Sequence, residues 1–254
     1  MAAPPRATQQ ITLEITIAEP LQFLLARDRR LPTFEQTIYR QASLKDVIES
    51  LGVPHTEIGR LRVNGHEVGF DHRVADGETI HVEALATPRN VLQPSMLRPV
   101  PLTELRFLVD VNVARLGKLL RLVGCDTFYD PDLSDTELAR LAAAQGRVLL
   151  TRDRALLRHG CIDYGHLVRA EKPRTQLREV VRLFGLREQL RPFSRCMHCN
   201  AALQRVSKST ILDQLQPLTI RYYNDFMQCS GCGKIYWEGS HQQGLEDLLT
   251  EALW

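Results

Sequence analysis

Two C-x-x-C pairs constrain the fold of this 254-residue chain more than any other feature of its sequence. Cys196 and Cys199 form the first pair, and Cys229 and Cys232 form the second after 29 intervening residues. Two knuckles with this spacing bring four thiolates into the tetrahedron of a closed structural zinc site. We predict one structural zinc ion in a ribbon over residues 191–243, followed by a C-terminal helix over residues 244–254. Because protein fills all four positions, this zinc is not expected to be catalytic.

The composition is that of a soluble globular protein. Apolar residues make up 44% of the chain, charged residues make up 24%, and the net charge is +2. No uncharged apolar run approaches the roughly 18 residues that a membrane span requires. The start of the chain, MAAPPRATQQ, lacks the apolar core of a secretory signal. We therefore expect a cytoplasmic protein without a membrane partner, in a compartment where cysteine pairs bind metal rather than form disulfides.

Residues 8–86 have the pattern of a β-grasp domain. Residues 11–17 alternate apolar and polar side chains, as in a half-buried strand. Ser43 is a suitable cap for an amphipathic helix, and Asn64-Gly65 predicts a tight hairpin. A further turn at Asp76-Gly77 leads into another strand. The order strand, strand, helix, strand, strand predicts this α+β domain.

The same region resembles the ubiquitin-like domains related to small sulfur-carrier proteins. The resemblance rests on VNGHEV at residues 63–68 and VADGETIHV at residues 74–82. Those carriers end in a free Gly-Gly, whereas this chain continues through residues 83–88 into another domain. We therefore expect a module that docks a protein or ribosomal partner or positions a substrate. The proline-rich residues 87–104 are predicted to form a semi-rigid linker.

Residues 105–190 alternate short apolar strands with helices, which predicts a parallel α/β sheet. Asp110 and Asp153 each end an apolar run, so both are expected at the carboxyl edge of the sheet, where ligands bind in open parallel sheets. A second-helix acid is expected to join them. Ser134 and Glu137 form a capping box, and helical geometry places Asp135 nearer the buried face, so we favour Asp135 over Glu137.

Clustered carboxylates raise one another's pKa unless a cation neutralises them. The expected cofactor at this edge is Mg²⁺ or Mn²⁺, as one or two ions, because both prefer oxygen ligands. The alternative is that these aspartates are ordinary turn residues and helix caps.

Three segments around these acids resemble the PIN-like RNase family of the mut-seven exonuclease C-terminal domain. They are VDVNV at 109–113, YDPDLSDTEL at 129–138 and LLTRDRALL at 149–157. The resemblance implies a PIN-like sheet flanked by helices, in which Asp110, Asp135 and Asp153 surround the catalytic metal. The residues expected to support them are Asn112, Thr151, Glu137 and Asp132.

Basic residues lie close to the predicted acidic edge. The helix after Asp110 carries Arg115, Lys118 and Arg121 at intervals of three, and Arg152 and Arg154 flank Asp153. Such residues bind the phosphates of RNA or form a solvated basic face.

We predict a metal-dependent ribonuclease with RNA as its partner. The alternative is a non-catalytic RNA- or ribosome-binding adaptor that uses the basic surface and the zinc ribbon. A sulfur carrier or protein modifier is the weaker third reading.

Overall fold

The computed structural model describes residues 10–29 and 31–237. The described residues form three β-sheets: a mixed five-stranded sheet, a parallel four-stranded sheet and an antiparallel three-stranded sheet. The predicted fold class is confirmed: a β-grasp domain, a PIN-like α/β domain and a zinc-ribbon module follow one another. None of the described helices has the length and apolar character needed to cross a membrane. The domain boundaries remain predictions, and the helix predicted over residues 244–254 lies outside the described residues.

The N-terminal domain contains β1 (Ile11–Ile17), α1 (Glu19–Gln22), β2 (Thr33–Ile38), α2 (Leu44–Ser50), β3 (Ile58–Val63), β4 (His66–Glu67) and β5 (Thr79–Ala84). Its strands form a sheet with the order β2-β1-β5-β3-β4. The central pair β1 and β5 is parallel, and the other neighbours are antiparallel. Leucine, isoleucine and valine side chains from the sheet pack against helix α2 to form the core.

Two local signals in this domain are confirmed. The Ser43 side chain accepts a hydrogen bond from Asp46 N and caps α2. Asn64 and Gly65 have φ values of 50° and 84°, as the tight turn between β3 and β4 requires.

The second domain contains β6 (Phe107–Val109), α3 (Ala114–Leu122), β7 (Thr127–Phe128), α4 (Asp135–Gln145), β8 (Val148–Thr151), β9 (Gly165–Leu167) and α5 (Pro173–Phe184). Its strands form a parallel sheet with the order β7-β6-β8-β9. Asp110 directly follows β6, and Asp153 lies two residues beyond the end of β8. Helices α3 and α5 pack against each other with β6 and β8 in one core.

The ribbon contains an antiparallel sheet of β10 (Leu203–Val206), β11 (Phe226–Cys229) and β12 (Ile235–Trp237), with α6 (Pro217–Tyr222) before β11. It is fixed to the second domain through Asp126, just before β7. The Asp126 carboxylate pairs with Arg147 and Arg195 and accepts a hydrogen bond from Asn200. Burial opposes ionisation of Asp126, but these partners outweigh it and lower its pKa.

The segment predicted to be a linker packs against both domains instead of spanning solvent. Arg98 is buried, and its guanidinium donates to the carbonyl oxygens of His55 and Ile58 on one side and of Asp163 on the other. Arg89 is also buried and donates to the carbonyl oxygen of Gly165 in β9. These hydrogen bonds join the β-grasp and PIN-like domains through the segment between them.

A buried ionic cluster also joins the two domains. Glu57, just before β3, is 2% exposed, and its Oε1 lies 3.2 Å from Nδ1 of His166 in β9. The other ring nitrogen of His166 lies 2.9 Å from Oε1 of Glu179 in α5. Because ionised carboxylates only accept hydrogen bonds, both ring nitrogens must donate, and the ring is an imidazolium. Burial opposes its charge, but Glu57 and Glu179 outweigh burial and raise the pKa of His166 to about 9.

Replacing Glu57 by Gln leaves the His166 imidazolium buried with one partner fewer. We expect a loss of about 3–5 kcal/mol in the free energy of unfolding near neutral pH. The contribution of His166 is complete below its unfolded pKa of about 6.5. It is lost as the pH rises through the folded pKa of about 9. Urea unfolding at a series of pH values measures both effects.

Glu83→Gln is the matched control, because Glu83 forms exposed pairs with Arg60 and Arg62. Its expected cost is below about 1 kcal/mol. Equal losses in the two variants would contradict the stabilising role of the buried cluster.

Candidate active site and metal centre

Asp110 lies at the carboxyl end of β6 and is 5% exposed. Its Oδ2 accepts hydrogen bonds from Thr151 Oγ1 at 2.7 Å and from Asn112 Nδ2 at 2.5 Å. Its Oδ1 accepts from Val111 N. Thr151 ends β8, which pairs with β6, so two neighbouring strands bring the donor and the acceptor together. The sheet therefore fixes the orientation of the Asp110 carboxylate.

Asn112 and Thr151 extend this network to the next acid. Arg152 N donates to Asn112 Oδ1 at 3.0 Å, and Asp153 N donates to Thr151 Oγ1 at 2.9 Å. Asp153 Oδ1 accepts from the backbone N of Ala155, which holds the turn after β8. Asp153 Oδ2 makes no hydrogen bond within the described residues. Asp110 and Asp153 thus belong to one hydrogen-bonded unit with one carboxylate oxygen available to a ligand.

The second-helix acids lie in the first turn of α4 and before it. The predicted capping box is confirmed, because Glu137 N donates to Ser134 Oγ and Ser134 N donates to Glu137 Oε2. These bonds from Ser134 lower the pKa of Glu137. Asp135 is exposed, and its carboxylate makes no hydrogen bond to a described residue, so it is available to a ligand as well. Asp132 is exposed and donates its backbone N–H to Asp130 Oδ1.

The structure does not bring Asp110, Asp135 and Asp153 into one tight cluster. Among the described residues, the groups of three or more metal-ligating atoms that converge within 4.8 Å comprise cysteines alone. Sequence reasoning also left out Asp130, the first carboxylate after β7. Because β7 pairs with β6 in parallel, Asp130 follows the same sheet edge as Asp110. The strand-end rule that selected Asp110 would have selected Asp130.

The predicted basic face of α3 has two exposed members, Arg115 and Lys118. The structure corrects the prediction that Arg121 binds a phosphate, because the Arg121 side chain is buried. Its guanidinium donates to the carbonyl oxygens of Thr127, Met197 and His198. Arg121 lies in the last turn of α3, which faces the ribbon. Its hydrogen bonds hold the first cysteine knuckle against the PIN-like domain.

Arg152 and Arg154 both lie beside Asp153, and both contact other parts of the protein. The Arg152 guanidinium donates to Ala170 O after β9. The Arg154 guanidinium donates to Leu24 O and lies 5.6 Å from the ring centroid of Phe23 in the β-grasp domain. Both side chains remain exposed, so these contacts orient them without removing them from the surface.

The metal centre contains the four predicted cysteines, whose sulfur atoms all lie within 4.8 Å of one another. Cys196 Sγ is 3.7 Å from Cys232 Sγ, and Cys199 Sγ is 3.3 Å from Cys229 Sγ. Zn–S bonds of about 2.3 Å in a tetrahedron give sulfur–sulfur separations near 3.8 Å. The observed spacing is close to that value, so the cluster fits a structural metal such as zinc.

The surroundings of Cys196 and Cys229 favour thiolates. Burial opposes the charge of Cys196, but hydrogen bonds from Tyr236 OH and nearby backbone amides lower its pKa to about 6. Gly231 N and Cys232 N both point at Cys229 Sγ. A Cβ at Gly231 would lie 2.9 Å from Ala201 Cβ and 3.4 Å from Cys199 Sγ, so a glycine is needed for this close approach. This packing matches the chemistry of a metal-binding knuckle.

Replacing Cys229 by Ser should abolish stoichiometric zinc binding and loosen the ribbon, because metal affinity and folding are coupled at such sites. The measurements are zinc content of the purified chain and protease resistance of the ribbon. Cys161→Ser is the control, since Cys161 is exposed and outside the cluster. A Cys229→Ser protein that keeps one zinc per chain and a resistant ribbon would contradict the assignment.

Comparisons with known protein families agree with this domain order. The family model described as Mut7-C ubiquitin matches residues 10–89, and the model described as the Mut7-C RNAse domain matches residues 105–249. A search of curated proteins and a search of solved structures each found no match. The RNAse-domain model alone covers more than half of the chain. The chain therefore belongs to the Mut7-C RNAse domain family and carries a Mut7-C ubiquitin-like domain in front of that domain.

Proposed function

We propose that the protein is a metal-dependent ribonuclease that hydrolyses RNA phosphodiesters at the carboxyl edge of the parallel sheet. The observation that carries this proposal is the fixed carboxylate of Asp110, bound by Thr151 and Asn112 inside the region that matches the RNAse domain. Burial of a carboxylate costs free energy unless hydrogen bonds compensate, and the three donors to Asp110 both compensate that cost and hold the carboxylate in one orientation. Its place at a strand end is where open α/β sheets bind ligands.

Asp110, Asp153 and Asp135 are the residues proposed to hold Mg²⁺ or Mn²⁺. The chemistry of the donors fits, because oxygen ligands suit these ions. The three carboxylates do not converge as tightly as the four cysteines do, so water and substrate phosphate would complete the coordination, as is common for Mg²⁺. Asp153 Oδ2 and the Asp135 carboxylate are unbonded within the described residues, which leaves both free to bind. When bound, the ion supplies charge neutralisation at the phosphate and lowers the pKa of water.

The chain's own polar residues act as positioning groups. Thr151 Oγ1 donates to Asp110 and accepts from Asp153 N, so one hydroxyl sets the relation between the two proposed ligands. Asn112 donates to the same Asp110 oxygen and accepts from Arg152 N. Groups of this kind keep a carboxylate oriented before substrate arrives, which reduces reorganisation during the reaction.

The β-grasp domain is proposed to position a substrate or a partner rather than to carry sulfur. After β5 ends at Ala84, the chain packs into the PIN-like domain, with Arg89 N bonded to Leu183 O in α5. A sulfur carrier needs a free C-terminus after this last strand, whereas here the chain continues into the next domain. The four unpaired cysteines of the metal centre support a reducing compartment, and we propose the cytoplasm.

Cleavage of single-stranded RNA of mixed sequence in Mn²⁺ or Mg²⁺ tests the proposal. We expect Asp110→Asn and Asp153→Asn each to lower the cleavage rate by at least about a hundredfold, because each removes a ligand charge. Asp213→Asn, an exposed aspartate in the ribbon, should cleave like the parent. Equal cleavage by all variants would refute the assigned site. Salt-sensitive RNA binding without turnover would favour the adaptor instead.

Replacing Thr151 by Val removes the shared hydroxyl while keeping the side-chain shape. We expect the Mn²⁺ concentration for half-maximal cleavage to rise by about 10- to 100-fold, as for other residues that orient metal ligands. Thr151→Ser retains the hydroxyl and should restore most of the metal affinity. The readout is cleavage rate against Mn²⁺ concentration, with thermal unfolding measured in parallel. Identical metal dependence in the Val and Ser variants would contradict the positioning role.

A further inference from the structure

A cavity of about 610 Å³ lies where the β-grasp domain meets the PIN-like domain. Pro20, Ala84 and Leu85 form an apolar wall from the β-grasp side. Residues after β9 and along α5 form the opposite wall. The volume falls within the range of small-ligand sites, roughly 300–1,000 Å³. The cavity therefore admits one or two unpaired nucleotides more readily than a duplex.

The floor of the cavity is electrically balanced. Glu57 and Glu179 carry two negative charges there, and the buried His166 carries a positive charge between them. Arg169, which is exposed and also lines the cavity, supplies the second positive charge by pairing with Glu57. Arg169 also stacks on Phe23, with its guanidinium carbon 4.4 Å from the ring centroid. The floor groups thus satisfy one another and leave no net charge for a ligand.

The rim of the cavity is not balanced. Arg178 and Arg182 line it from α5 and are exposed, and their guanidinium groups make no ion pair or hydrogen bond with another described residue. They are four residues apart on one helix, so they lie side by side. Two neighbouring guanidinium groups beside an apolar wall suit a phosphate that is attached to a ribose and a base.

The cavity adjoins the proposed active site. Strands β8 and β9 pair in parallel with Thr151 opposite Leu167, so Asp153 and Arg169 follow neighbouring strands at the same sheet edge. Adjacent strands are about 4.8 Å apart. Arg152 links the two places directly, because its backbone N bonds Asn112 while its guanidinium bonds Ala170 O, and Ala170 lines the cavity.

We propose that this cavity is a subsite for single-stranded RNA next to the bond that is cut. Arg178 and Arg182 bind a backbone phosphate, and Ala84, Leu85 and Pro20 contact the adjoining ribose or base. The β-grasp domain then forms one wall of the substrate site. This inference rests on the proposed ribonuclease function and specifies where the RNA strand leaves the acidic edge.

The test measures binding of a short fluorescent single-stranded RNA to the full chain carrying Asp110→Asn, over a series of salt concentrations. Adding Arg178→Gln and Arg182→Gln should weaken binding about tenfold or more, since hydrogen bonds to charged groups are strong. The slope of log Kd against log salt should fall by about 0.7 for each lost phosphate contact.

The matched control adds Arg140→Gln and Arg158→Gln, which remove the same charge from exposed positions outside the cavity. Binding by the control should stay within about twofold of the parent, apart from general screening effects. A separate steric variant, Thr175→Trp, fills the cavity from α5 without changing the charge, and Thr175→Val is its control. Only the Trp variant should weaken binding.

Equal affinity and equal salt slopes for the two double variants would overturn the subsite, as would an absence of RNA binding by the Asp110→Asn protein. These outcomes are distinct from failure of the proposed function. If Asp110→Asn leaves the cleavage rate unchanged while the cavity variants bind RNA more weakly, the subsite is supported and the assigned catalytic site is refuted. If cleavage requires Asp110 and the cavity variants bind RNA with the affinity of the parent, the assigned catalytic site is supported and the subsite is refuted.

Discussion

The buried contact between Glu57 and His166 is the ionic interaction that joins the first two domains, and it lies beside an apolar core that is continuous between them. A carboxylate that is 2% exposed has lost its hydration and needs compensation from inside the protein. His166 supplies a positive charge, Leu167 N supplies a hydrogen bond, and Arg169 adds a second cation. Since Glu57 belongs to one domain and its partners to the other, separating the domains would expose an ionic cluster that is matched only when both are in contact.

The ribbon is attached by a different kind of interaction. Arg121 reaches from α3 to the carbonyl oxygens of the first knuckle, and Asn200 bonds both Asp126 and Thr127 N beside β7. The zinc-ribbon cysteines therefore stabilise a module whose contact lies on the β7 flank of the parallel sheet. The β-grasp domain contacts the opposite flank at β9. The acidic edge lies between these two supports, and neither of them needs to contribute a ligand to it.

Local signals in the sequence predicted the helices, turns and metal ligands well, whereas the contacts between domains correspond to no recognisable sequence pattern. Ser134 and Glu137, Ser43, Asn64-Gly65 and the C-x-x-C pairs act over a few residues, so their spacing alone determines their structure. Glu57 and His166 are 109 residues apart in the sequence. Arg98 bonds both domains from a segment that the sequence predicts to be a linker. Arg121 follows Arg115 and Lys118 at regular intervals, but the packing of the ribbon decides that it is buried. The relation of Asp135 to Asp110 and Asp153 depends on loop geometry that spacing does not encode.

The positive charge at the surface is distributed differently from what the sequence suggested. Arg121 is buried, whereas Arg152 and Arg154 stay exposed while each bonds a carbonyl oxygen, so three of the five predicted phosphate contacts already have structural partners. The exposed pair Arg178 and Arg182 was not among those predictions, because nothing in the sequence places α5 beside the β-grasp domain. The domain junction brings them to a cavity at the same sheet edge as Asp153. The β-grasp domain forms the second wall of a cleft that the parallel sheet alone does not form. This contact is a structural reason for its place in front of the RNAse domain.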